Sequence, residues 1–130
     1  METYQCVVAD LAYYGNEKSI TITVNDEDDG FKISGEINEI EITSNGESYF
    51  ESFQKFRDRL LGLGYGLKCK GSQINAVQSN MMGGSDKIYL VELGQPALMK
   101  DVVSIWEYAD IDGFPDSKQQ NEFHEKWFNG

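Results

Sequence analysis

The strictest constraint in this sequence is a switch of hydrophobic period. In SITITV the residues Ile20, Ile22 and Val24 share one face, and beyond NDEDDG the residues Phe31 and Ile33 resume the same spacing of two. An alternation of that kind buries one side of an extended chain, so the two runs predict a β-hairpin with Asn25 to Gly30 as an acidic loop. The parity slips between Ile37 and the pair Ile40 and Ile42, which predicts a bulge or a second tight turn at Asn38–Glu39. After TSNGES the period becomes three to four: Tyr49, Phe53, Phe56 and Leu60 line one side of a helix over about 48–61. Ser48 and Glu51 form an S-x-x-E capping box there, and Gly62 supplies the stop.

The remaining elements follow from the same signals. TYQCVVAD predicts a first strand near Thr3 to Ala9, YGLKCKGS a strand after the helix, and KIYLVEL a buried strand. DVVSIWEYA fits either period, since Leu98, Val102, Trp106 and Ala109 would line a helix while Val103 and Ile105 alternate. Its β-branched and aromatic content favours a strand at 98–109. Pro115, a second capping box in Ser117 and Gln120, and the pair Phe123 and Trp127 predict a terminal helix over about 117–128. Strands gathered around two helices, without βαβ alternation, imply one α+β domain built mainly on an antiparallel sheet. At 130 residues such a domain buries roughly two-thirds of its unfolded surface.

Charge excludes some partners. The net charge is -11, and residues 1–47 carry eleven acidic and two basic side chains. Nucleic-acid affinity comes from Lys and Arg displacing counterions at phosphates, so the chain is expected to bind no nucleic acid, and a basic protein suits it better. No stretch approaches the ~20 apolar residues that cross a bilayer, which predicts no membrane span. Two cysteines and an opening without a signal-peptide pattern read as a cytoplasmic protein with reduced thiols.

Candidate chemistry is sparse. In EF-hand spacing Asn25, Glu27 and Asp29 fall on positions one, three and five, Gly30 on six and Glu36 on twelve, but flanks of period two oppose the helix-loop-helix that a calcium loop needs. In the second acidic stretch, YADIDGFPD, that spacing would put Tyr108 at position one and Gln119 at twelve, so it reads as a loop. The single histidine, His124, and two distant cysteines give no zinc spacing. Cys69 stands between Lys68 and Lys70, which would favour a thiolate, although a strand position would bury it. The segment 71–86, GSQINAVQSNMMGGSD, is rich in Gly, Ser, Asn and Met and suits an anion nest or an adaptable protein contact. No cofactor-binding motif is present.

The run KCKGSQINAVQSNMMGGSDKIYLVELGQPALMKDVVSIWEYAD and the closing FHEKWF resemble a group of small bacterial proteins encoded among toxin genes. That group includes immunity proteins of contact-dependent growth inhibition systems. The resemblance covers the second half of the chain and rests on Gly71-Ser72, Val77, Ser79, Met81, Met82, Tyr89, Leu93-Gly94 and the aromatic last helix. It implies a non-catalytic antidote for one cognate protein toxin and assigns no catalytic residues.

Together these readings predict an immunity protein that meets a basic nuclease toxin through carboxylates. The expected contact residues are Asp26, Glu27, Asp28, Asp29, Glu36, Glu39 and Glu41, with a tyrosine or Trp106 as a buried anchor. The rival expectation is a small enzyme or ligand-binding domain using segment 71–86 with Cys69 or His124.

Overall fold

A computed structural model describes residues 1–13 and 15–130. Four strands, β1 (Glu2–Asp10), β2 (Glu17–Glu27), β3 (Gly30–Ile37) and β4 (Ile40–Gly46), run as an antiparallel meander. The helix α1 (Tyr49–Gly62) then crosses the sheet and delivers β5 (Tyr65–Leu67) to the free side of β1, giving the order β4-β3-β2-β1-β5. A second antiparallel sheet, in the order β6-β7-β8, is made from Ala76–Val77, Lys87–Leu90 and Val102–Ser104. The terminal helix α2 (Ser117–Asn129) closes an α+β single-domain fold.

The alternation places the core. Ile20, Ile22, Val24, Ile33, Ile37 and Ile42 all turn inward and are buried, together with Phe53, Phe56 and Leu60 from α1. The opposite side of the sheet carries Thr3, Thr23, Ser34 and Thr43 in one cross-strand row. The slip of parity is a tight turn: Ile37 pairs with Ile40, and both Asn38 and Glu39 adopt positive φ, at 50° and 67°. That backbone twists with the strands and reverses the chain in two residues.

The acidic hairpin is tighter than expected. β2 continues through Asn25, Asp26 and Glu27, which pair with Lys32, Phe31 and Gly30, so the turn is only Asp28-Asp29. Gly30 has φ +143°, and a Cβ there would lie 2.0 Å from the carbonyl oxygen of Gly46, which is why strand β4 can close against it. α1 keeps its Ser48 N-cap, whose Oγ accepts from the Glu51 amide at 3.1 Å. The Glu51 carboxylate reaches one residue further back than a capping box would, to the Glu47 amide at 3.2 Å. The left-handed glycine after α1 is Gly64, with φ +92°, while Gly62 is the last helical residue.

Three further expectations change. The segment 98–109 is mostly irregular: a 3₁₀ turn at Met99–Asp101 precedes the three-residue strand β8, and the chain then turns. KIYLVEL is a strand only to Leu90, with Ile88 buried and Tyr89 half-buried. The last helix is capped by Asp116 with Gln119, one residue earlier than the Ser117–Gln120 pairing.

Gln120 is thereby free for a different role. It is buried at 1% exposure, and so is the whole Arg57 side chain of α1. Arg57 Nη2 donates to Gln120 Oε1 at 2.8 Å and Nε to Asp58 Oδ1 at 3.0 Å, while the guanidinium lies over the Phe53 ring. Gln120 Nε2 donates to the carbonyl oxygens of Gly71 and Gln73 at 2.9 and 2.7 Å, and Gln54 adds a bond to Gln120 Oε1 at 3.1 Å. Removing an amide that satisfies a buried charge strands the charge. Gln120→Leu is therefore expected to lower unfolding stability by about 2–4 kcal/mol, measured as a reduced urea midpoint. Arg57→Met combined with Gln120→Leu is expected to recover part of that loss, because the buried cation is gone, while the Gly71 and Gln73 carbonyl oxygens still lack the donor that Gln120 supplied.

Candidate functional site: an acidic end of the sheet

The hairpin register decides which carboxylates meet. Asp28 and Asp29 lie at the β2–β3 turn, with Glu27 beside them and Asp26 one residue before it. Glu36, Glu39 and Glu41 lie at the β3–β4 turn, the opposite end of β3, whose eight residues put the two groups roughly 25 Å apart. The seven expected contact residues are therefore two clusters. Glu36 and Glu41 are direct cross-strand partners on the exposed face, a like-charge pairing that opposes the sheet.

The turn end gains members from elsewhere in the chain. An open cavity of about 650 Å³ is lined by Glu27, Asp28 and Asp29 from the hairpin and by Glu47 and Glu51 from the β4–α1 junction, with Phe31 at its apolar wall. Lys55 is its one basic lining residue among the described residues. Its ammonium lies 3.2 Å from Glu51 and also donates to the Asn45 carbonyl oxygen, so it is already committed. A neighbouring cavity of about 270 Å³ shares Phe31 and brings Glu2, Asp26 and Asp86 together beside the chain's first residue. Eight carboxylates from the start of β1, the hairpin, the start of α1 and the loop before β7 thus crowd one end of the domain. None of these eight side chains is buried, so water and an approaching cationic surface can both reach them.

A single divalent ion is a poor fit for the calcium spacing read from the sequence. The register Asn25 with Lys32 leaves Glu36 far along β3 from Glu27 and Asp29, so the five residues do not surround one point. Among the described residues no group of three or more Asp, Glu, His or Cys side chains is arranged to hold a metal. The residues Tyr108 to Asp116 form a connection into α2, in which Asp110 holds Lys68.

Segment 71–86 is tied down rather than open. The Gly83 carbonyl oxygen accepts from the Tyr49 amide at 2.8 Å, and Gln78 Oε1 accepts from the Phe50 amide at 3.2 Å. Gln78 Nε2 donates to the carbonyl oxygens of Ser85 and Lys87, both at 2.9 Å. With Ser48 on the Glu51 amide, the first-turn donors of α1 are occupied by the chain itself, and no anion-binding nest remains there. Met81 stands fully exposed at the crest of this segment.

The proposed nucleophile is enclosed. Cys69 has no exposure, its Sγ faces Ser72 Oγ at 3.6 Å, and burial pushes its thiol up from 9.0 to about 11. Lys68 does not activate it, because its ammonium is engaged elsewhere: Lys68 Nζ is held by Glu17 Oε2 at 2.7 Å and Asp110 Oδ1 at 3.0 Å. Those carboxylates raise the Lys68 ammonium further, Glu17 first. Burial likewise pushes Cys6 up to about 12. His124 is elsewhere, exposed on α2 with its ring stacked on Trp127 at 6.0 Å.

Trp106 is not available as an anchor. It is 5% exposed, donates its indole N–H to Tyr49 Oη at 2.9 Å, and packs on Tyr4 and Phe53 at 5.4 and 5.3 Å between centroids. Among the described aromatic residues Tyr13, Tyr108 and Phe128 are exposed; Tyr14 lies outside the described residues. Sequence reasoning missed Glu2, Glu47, Glu51 and Asp86 as members of the acidic end. The helix cap at Glu51 carried a local signal, but the approach of Glu2 and Asp86 depends on long-range pairing.

Comparison with protein-family models gives no match, and comparison with curated proteins gives none either.

The burial of both cysteines has a measurable consequence. In native buffer at pH 8 neither thiol is expected to react with a disulfide reagent on a time scale of minutes, whereas guanidinium unfolding should release two. Both native pKa values exceed the thiol's ordinary 9.0, so the native state holds protons that the unfolded state loses first. Stability is expected to fall as pH rises from about 9 toward 11 and 12, and Cys6→Ala with Cys69→Ala should flatten that dependence in urea titrations.

Proposed function

We propose that this protein is a non-catalytic immunity protein that binds and neutralises a cognate basic toxin domain, a nuclease, at the acidic end of its sheet. The observation that carries the reading is the convergence of Glu2, Asp26, Glu27, Asp28, Asp29, Glu47, Glu51 and Asp86 around two adjoining open cavities. A nuclease must present Lys and Arg to phosphate, so its active face is complementary to such a surface. Fixed carboxylates raise the encounter rate by long-range attraction, and that advantage declines as salt screens it. The scaffold supports this use: the hairpin turn is pinned by Gly30 against Gly46, and Glu47 and Glu51 hold each other across the helix cap. The sequence resemblance to immunity proteins of contact-dependent growth inhibition systems agrees with the same role.

Two experiments test the reading. Co-expression with the toxin domain encoded beside this gene is expected to restore growth and to yield a stable co-purified complex; survival without a complex would point to another kind of protection. In stopped-flow mixing with that toxin at low salt, Lys at positions 26 to 29 is expected to slow association by about tenfold or more, with the circular dichroism spectrum unchanged. Lys at positions 36, 39 and 41 measures the share of the far cluster. A larger effect there than at the turn would move the interface to the other end of β3.

A further inference from the structure

We propose that the same partner is anchored by an apolar groove beside the acidic end, formed where the last turns of α2 lie along β6 and β7. This inference rests on the reading of the acidic end as a contact for a basic protein and adds the apolar half of that contact. The groove has a volume of about 410 Å³; Val77, Tyr89, Ala97, Trp127 and Phe128 are its main apolar walls, with His124 at one side. Phe128 is 75% exposed at its rim, and Met81, which follows the lining residue Asn80 in the 3₁₀ turn Asn80–Met82, is 99% exposed. Trp127 is fixed in place, since its indole N–H donates to the Gln95 carbonyl oxygen at 2.7 Å while His124 stacks on its ring. A fixed indole, a tyrosine and an exposed phenylalanine around a concavity make the composition of an interface hot spot, with the large rigid surface already ordered before binding.

Position connects the groove to the carboxylates. Ser79 and Asn80 line the groove, and Gly84, Ser85 and Asp86, a few residues on, line the acidic cavity with Glu2 and Asp26. The one segment between them is held to α1 by the Gly83 and Gln78 bonds, so groove and carboxylates keep a constant relation. Charge decides the occupant. A second copy of this chain would bring another net charge of -11 to the same place, whereas a basic protein is drawn in by the acidic end and can seat an aliphatic or aromatic side chain in the groove. The occupant is thus an apolar side chain flanked by Lys or Arg on the surface of the basic partner.

Three synthetic peptides separate the two halves of the contact: Lys-rich hexapeptides with and without a central Leu-Trp pair, and the Leu-Trp peptide with Glu flanks. Each is titrated into the ¹⁵N-labelled full chain and followed by NMR. The Leu-Trp peptide with Lys flanks is expected to shift the Trp127 indole signal and the amides of Val77 and Tyr89 as well as those of Asp28 and Asp29. The all-Lys peptide should move only the acidic end, and the Glu-flanked peptide neither. Phe128→Ser, at an exposed position, is expected to weaken binding of the Lys-flanked Leu-Trp peptide by about fivefold and leave the all-Lys peptide unchanged. If the Lys-flanked Leu-Trp peptide moves the acidic end but not Trp127, the groove is not the anchor. If neither Lys peptide moves Asp28 and Asp29, the acidic-end reading fails first. Shifts of Trp127 that depend on protein concentration alone would assign the groove to a second copy and overturn the proposal.

Discussion

A guanidinium group with no access to solvent organises the packing of this domain. Arg57 projects from α1 into the space between that helix, α2 and the 3₁₀ turn Lys70–Ser72 that follows β5, and its burial weakens its hold on its proton. A charge in that position is tolerable only where hydrogen bonds replace water. Gln120 supplies one, Asp58 another, and the Phe53 ring offers its face. The same Gln120 amide also holds the carbonyl oxygens of Gly71 and Gln73, and Asp58 receives the Ser117 amide at the start of α2. One buried cation therefore determines where the last helix sits, and with it the groove that α2 builds against β6 and β7.

A second constraint is the aromatic cluster of Tyr4, Phe31, Tyr49, Phe53 and Trp106. These rings come from β1, β3, α1 and the segment after β8, so they join the meander to the second sheet. The Trp106 indole N–H finds the Tyr49 hydroxyl, and burial pushes both the Tyr49 and Tyr4 phenols up. Phe31 leaves this cluster at its edge and forms the apolar wall shared by the two acidic cavities. The carboxylates thus stand on the rim of a packed core, and their spacing is inherited from it. Such an arrangement lowers the cost of ordering a charged surface when a partner arrives.

Much of the fold could be read from local patterns because those patterns have short-range causes. Ile20, Ile22 and Val24 alternate because β2 has one wet side, and Tyr49, Phe53, Phe56 and Leu60 recur because α1 has one buried stripe. The Asn38–Glu39 turn was legible as a break of parity. The errors fall where tertiary contacts override local preference. Val103, Ile105 and Trp106 have strand character, yet only Val102–Ser104 pairs, because the Ile105 carbonyl oxygen accepts from the Gly71 amide in the 3₁₀ turn Lys70–Ser72 and Trp106 joins the aromatic cluster in the core. Gln120 looked like a capping residue and is instead the partner of a buried arginine 63 positions away, a pairing that no local spacing announces.

Sequence alone determined the sign and density of charge, the hairpin, the first helix and the α+β class, since each depends on neighbours within a few positions. Tertiary structure decided which carboxylates share a surface. The register of β2 with β3 sends Glu36, Glu39 and Glu41 to the far end, while the crossing of α1 and the start of β1 bring Glu47, Glu51 and Glu2 to the near one. It also decided the fate of the two side chains with the strongest intrinsic chemistry, enclosing Cys69 beside Ser72 and leaving His124 exposed at the side of the groove between α2 and β6. Composition counts charges and thiols, but their work depends on what the folded chain sets beside them and whether water can reach.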